Sequence, residues 1–165
     1  MADGITYEVH PAGFEDFQAY CDRWGTIADA ELRHAMRQSV NALHREAVKN
    51  APNNTGNLRG AIFSRIEGMG SDIRGVVAVG PAAPYGICVE TGTKPHWMPI
   101  APLLRWVHKR MGLDGSHMWA VAKVIQKKIA ERGTEGQFFF QRAADSEQGR
   151  IDGFFKAAMD RAMAQ

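Results

Sequence analysis

Four residues near the middle of the chain carry side chains able to do chemistry: Cys88, Glu90, His96 and His108. Thiolate, carboxylate and imidazole are all zinc ligands, and Cys88 with His96 can be drawn as a nucleophile and its base. The spacing supports neither. Metal motifs are compact, with paired Cys or His at close spacing, and no such pair occurs here. Cys88 reads as a small buried residue rather than a reactive thiol, so a metal-dependent hydrolase is the weakest reading and no catalytic residue, metal or cofactor is assigned. Gly68, Met69 and Gly70 fall in a predicted hairpin, not between a strand and a helix, which argues against a phosphate cradle.

The stretch that must position these residues runs from Ala83 to Pro102. Tyr85 to Glu90 alternates, with Tyr85, Ile87 and Val89 on one side and Gly86, Cys88 and Glu90 on the other, the period of a half-buried strand. Thr91 to Pro95 then breaks the pattern. His96, Trp97 and Met98 follow between Pro95 and Pro99, which restrict the backbone on both sides. Trp97 is thus presented from a stiffened arm, either as a plug in its own core or as an anchor in a neighbour.

Around that stretch the pattern is mixed. Residues 1–22 lack a sustained period and read as an arm or a short helix, so residues 1–25 are taken as an N-terminal arm. Leu32, Met36, Val40, Leu43 and Ala47 form one stripe of an amphipathic helix from about Ile27 to Asn50, ended by Pro52. Ala51 to Arg59 has the chemistry of a turn. Gly60 to Glu67 and Ile73 to Val79 read as a hairpin, and Tyr85 to Glu90 as its third strand. Pro102 suits the first position of a helix bearing Leu103, Leu104 and Val107, with Gly112 as its stop. Met118, Ala122, Ile125 and Ile129 stripe a helix from about Ser116 to Arg132, and Ile151, Phe154, Phe155, Ala158 and Ala162 mark a last one. Three consecutive aromatics, Phe138, Phe139 and Phe140, cannot all face one core. The expected fold is α+β: a long N-terminal helix packed on a small antiparallel sheet, with further C-terminal helices, as a single domain over 26–165.

At 165 residues, nearly half of them apolar, the chain can bury a substantial core. No apolar run approaches the roughly 20 residues that span a bilayer, so no membrane partner is expected. The first residues lack a signal-peptide shape, and the two cysteines, Cys21 and Cys88, suit synthesis in a reducing cytoplasm. The net charge of +2 conceals segregation. Residues 1–50 hold five Lys/Arg against eight Asp/Glu, whereas 94–132 hold eight against two. Lys94, Arg105, Lys109, Arg110, Lys123, Lys127 and Lys128 could face an acidic neighbour or phosphates. A basic nucleic-acid-binding module is therefore the second reading, although no helix-turn-helix or zinc-finger signature accompanies the cations.

Three segments in order resemble a family of small neck proteins of long-tailed, lambda-like bacteriophages, which are tail-completion or minor tail proteins. The first is the proline, threonine, glycine and leucine after the long helix: Pro52, Thr55, Gly56 and Leu58. The second is a tyrosine-led segment closing on Glu, Gly and Thr: Tyr85, Glu90, Gly92 and Thr93. The third is a late aromatic segment before an alanine-containing helix: Phe139, Phe140 and Ala143. Asn54 stands where the family has Asp, and Thr91 is inserted between Glu90 and Gly92. The extension His96 to Leu113 is similar to a recurrent family variant. The resemblance implies a structural virion protein made in the host cytoplasm, from a phage or prophage, acting at the head–tail junction as a ring of identical subunits. Its implied partners are further copies of itself, tail and head-completion proteins, and DNA in the channel. Trp97, His96, Phe138, Phe139 and Phe140 are the expected assembly contacts.

Overall fold

The stripe that begins at Leu32 organises the first part of the molecule. A computed structural model describes residues 6–8, 18, 25–69 and 72–164. The chain runs β1 (Thr6–Glu8), α1 (Thr26–Asn50), α2 (Asn57–Ala61), β2 (Ile62–Glu67), β3 (Arg74–Val79) and α3 (Gly86–Thr91). It continues through β4 (Gly92–Thr93), α4 (Ile100–Met111), α5 (Gly115–Arg132), β5 (Thr134–Glu135) and α6 (Phe139–Met163). The architecture is α+β, as the sequence predicts. The chain divides into two compact units, one of residues 1–86 with 139–165 and one of Ile87–Phe138.

In the first unit, Leu32, Met36, Val40, Leu43 and Ala47 are all buried, so the stripe is the core face of α1. Burying the Leu, Met and Val side chains among them stabilises by about 1.5–3 kcal/mol each. One flank of that face meets the sheet, where a Cβ at Gly75 of β3 would run into Val40 Cγ2 and Met36 Sδ. The other flank meets α6, to which Glu31 is tied by an ion pair with Arg161 at 2.7 Å. Phe139 and Phe140 at the start of α6 are fully buried, with ring centroids 4.8 Å apart. The helix α1 stops at Ala51, which is extended (φ −64°, ψ 135°) because Pro52 follows it. Arg59 then satisfies the open end of α1: Nε donates to the Ala51 carbonyl at 2.8 Å and Nη2 to the Lys49 carbonyl at 3.1 Å.

The sheet of this unit is antiparallel in the order β1-β3-β2, with Thr6 opposite Ala78 and Ile62 opposite Val79. Its third strand is β1, inside the expected arm, and not Tyr85 to Glu90. The rest of that arm, including Cys21, lies almost wholly outside the described residues. Tyr85 to Glu90 instead runs into the helix α3, on which Gly86 and Glu90, four apart, are buried while Ile87 and Cys88 are exposed. The reason lies at Gly86, where a Cβ would stand 3.0 Å from Val79 Cγ1 and 3.3 Å from Leu58 Cδ1. Only a bare backbone lets the helix start this close to β3. The turn expected over Ala51 to Arg59 likewise closes early, because Gly56 at φ 86° leads directly into α2 and Leu58 is buried there.

The second unit is a helical hairpin closed by a short ladder. Leu103 and Val107 of α4 pack with Ala122 of α5, surrounded by Met98, Trp106, Leu113, Ile125 and Ile129. Gly112, at φ 66°, caps α4 as predicted, but α4 begins at Ile100, so Pro102 is its third residue. Proline is tolerated there because first-turn N–H groups have no intrahelical acceptor. The strands β4 and β5 pair antiparallel, Gly92 opposite Glu135 and Thr93 opposite Thr134, and the Gln137 and Phe138 N–H groups bond the Val89 and Glu90 carbonyls at 2.9 and 3.0 Å. Gly133, at φ 73°, crosses so near Thr93 that a side chain there would strike its carbonyl oxygen. The chain thus enters and leaves this unit at one point.

Candidate assembly surface

The loop between Thr93 and Ile100 owes its shape to bonds on either side of its tip. Before the tip, the His96 N–H bonds the Ile129 carbonyl at 3.4 Å, and His96 Nδ1–H donates to the Lys94 carbonyl at 2.9 Å. After it, the Gln126 amide donates to the Met98 carbonyl at 2.7 Å. Two tied flanks between two prolines leave Trp97 little freedom, and it stands 71% exposed. It is not a plug in its own core. Gln126 is a residue that the sequence reading missed, although it interrupts the apolar stripe four positions after Ala122, where a polar side chain is retained only if it finds a partner.

The second unit exposes both apolar side chains and positive charge. Ile87, Trp97, Met111, Trp119, Val124 and Phe138 are large and exposed. Eight Lys/Arg oppose four Asp/Glu in Ile87–Phe138, a net of +4. Lys94, Arg105, Lys109, Arg110, Lys123, Lys127 and Lys128 are all exposed. On α5, Lys123 and Lys127 lie one turn apart with Val124, 68% exposed, beside them. Among the described residues, Lys127 makes a long contact with Glu131 at 3.9 Å.

The three aromatics at 138–140 separate. Phe139 and Phe140 belong to the core of the first unit, so burial takes both out of the set of surface anchors. Phe138 is 47% exposed and sits at φ 47°, the one non-glycine among the described residues with positive φ. A bulky residue in that region costs about 1–2 kcal/mol, and such outliers persist where the surrounding structure over-determines them. Here its N–H is held by the Glu90 carbonyl.

The remaining sequence candidates are structural. Pro52, Thr55, Gly56 and Leu58 form the corner between α1 and α2, and Gly92 and Thr93 form β4. Tyr85 is exposed, while Glu90 is buried. Cys88 is exposed rather than buried, because helical geometry turns it away from the face shared by Gly86 and Glu90. The same geometry sets Cys88 and Glu90 on different sides of α3, so they do not converge as they would on a strand face. Among the described residues no group of three His, Cys, Asp or Glu could hold a metal ion, and no helix is long and apolar enough to cross a membrane.

Residues 15–92 match the model of a family described as "Bacteriophage HK97-gp10, putative tail-component". The matched stretch contains α1, the Pro52 to Leu58 corner, the β2–β3 hairpin and α3, and it ends within β4. No curated protein and no solved structure matches the chain.

Proposed function

With residues 15–92 matching a phage tail-component family, we propose that this chain is a structural protein of the virion, without enzymatic activity, that acts at the head–tail junction during tail completion. It does so as a ring of identical copies, in contact with tail and head-completion proteins. The observation that carries the reading beyond the family match is Trp97, an exposed indole whose loop is tied at His96 and Met98. A preorganised aromatic loses little conformational freedom on docking, which is why such residues dominate protein interfaces. The apolar and basic surface of the second unit suits a heterologous contact, in which one patch meets a different patch on the next subunit. His96 and Phe138 flank the proposed contact in sequence and share its unit. Solution mass across concentration tests the ring: a defined oligomer that Trp97→Ala loosens is the expected result.

The net charge of the second unit also favours a second reading, binding of duplex DNA through Lys94, Arg105, Lys109, Arg110, Lys123, Lys127 and Lys128. Contacts of this kind neutralise phosphates and weaken steeply with salt. Tight, salt-sensitive retention of duplex by the isolated monomer would favour this module over assembly.

A further inference from the structure

A trough between α1 and α6 plays no part in the surface described above. It has a volume of about 550 Å3 and is lined by Gln38, Asn41, His44 and Arg45 from α1 and by Arg150 and Phe154 from α6. Gln38, Asn41 and Arg45 recur at i, i+3 and i+7, so they stand in a row roughly 10 Å long on one helix face.

Two side chains of the trough, Arg150 and His44, are held in place yet only partly used. Arg150 Nη1 donates to both carboxylate oxygens of Glu147, at 3.0 and 2.8 Å, and its guanidinium carbon lies 5.8 Å from the Phe154 ring centroid. Glu147 is buried and does not line the trough. Arg150 therefore keeps Nε and Nη2 as donors on a guanidinium already held in place. His44 is anchored from the sheet, with Nε2–H donating to the Ile62 carbonyl at 3.1 Å. Arg45 forms no ion pair with a described residue, and among the described residues no acidic side chain lines the space.

We propose that this trough binds an acidic peptide segment of a partner protein. Arg45 and Arg150 each take a carboxylate, for which the planar guanidinium fork is matched in geometry. The Gln38 and Asn41 amides, each donor and acceptor, bond the peptide backbone, and Phe154 supplies an apolar wall. A nucleic acid fits less well: a phosphate backbone calls for a long row of cations, and this trough presents two guanidiniums. That the partner is another virion protein rests on the function proposed above; the site itself does not.

Fluorescence anisotropy of labelled hexaglutamate with the full chain tests it. Saturable binding is expected, at least tenfold weaker in Arg45→Glu and several-fold weaker in Arg150→Lys, which keeps the charge beside Glu147 but removes the fork. Lys156→Glu, exposed on α6 but outside the trough lining, leaves it unchanged. Arg45 is exposed, so its substitution does not threaten the fold. Absence of saturable binding, equal loss in Lys156→Glu, or a labelled 12-base-pair duplex whose binding is what Arg45→Glu removes would each overturn the proposal. Because the readout is peptide binding and not mass, its failure leaves the Trp97 experiment standing, and the reverse.

Discussion

The Gln126 side-chain amide donates to the Met98 carbonyl at 2.7 Å. Through that bond a buried position on α5 fixes the backbone directly after Trp97, so the core of the helical hairpin determines how the exposed indole is presented. Replacing Gln126 by Leu removes the donor and strands a carbonyl. The expected cost is about 1 kcal/mol, with faster amide exchange across residues 96–98 and unchanged exchange in α1. Equal protection of the loop in both proteins would show that the bond does not hold it.

Arg59 does comparable work for the first unit, since it engages the Ala51 and Lys49 carbonyls at the end of α1. Arg59→Ala leaves both without a protein partner where the helix ends. Chemical denaturation is expected to report a loss of about 1–2 kcal/mol. A variant as stable as the parent would mean that water replaces the guanidinium without cost.

Gly86 marks the place where the sequence misleads. Over six residues an alternating pattern and a helical pattern share several positions, and Tyr85 to Glu90 satisfies both. The pattern is blind to what decides the matter, the bare approach of Gly86 to Val79 and Leu58. Gly86→Val is accordingly expected to destabilise by about 1–3 kcal/mol through overpacking, measured by thermal unfolding. Unimpaired stability would contradict the packing of α3 described here.

The long periodic elements were legible for the opposite reason. The stripe of α1 repeats over four turns, and Met118 to Ile129 over three, so chance agreement is excluded by length. Gly112 was legible as a stop because a left-handed cap has few alternatives to glycine. The two-residue ladder of β4 and β5 was not, since strands that short carry no period, and neither was β1, whose partner lies some 70 positions away. In the candidate surface, Trp97 could be flagged from its prolines, whereas the interruption of the apolar stripe at Gln126 signals a partner without saying that it is the Met98 carbonyl.

Phe138 and Phe139 should respond in opposite ways to substitution. Phe139→Ala opens a cavity in the core of the first unit and is expected to cost about 3–5 kcal/mol. Phe138→Gly relieves a left-handed backbone and is expected to raise stability by up to about 1 kcal/mol while weakening self-association. Denaturation midpoints with light scattering on both variants check this; a destabilised Phe138→Gly would mean that its ring packs within its own chain.

The most direct measurement is the solution mass of the full chain, by light scattering after size exclusion, over a range of concentration and salt. A defined closed oligomer that Trp97→Ala shifts toward monomer, without lowering the unfolding midpoint, is the result predicted. An oligomer indifferent to Trp97→Ala, or a monomer at every concentration, would contradict the proposal that this exposed indole anchors one copy to the next.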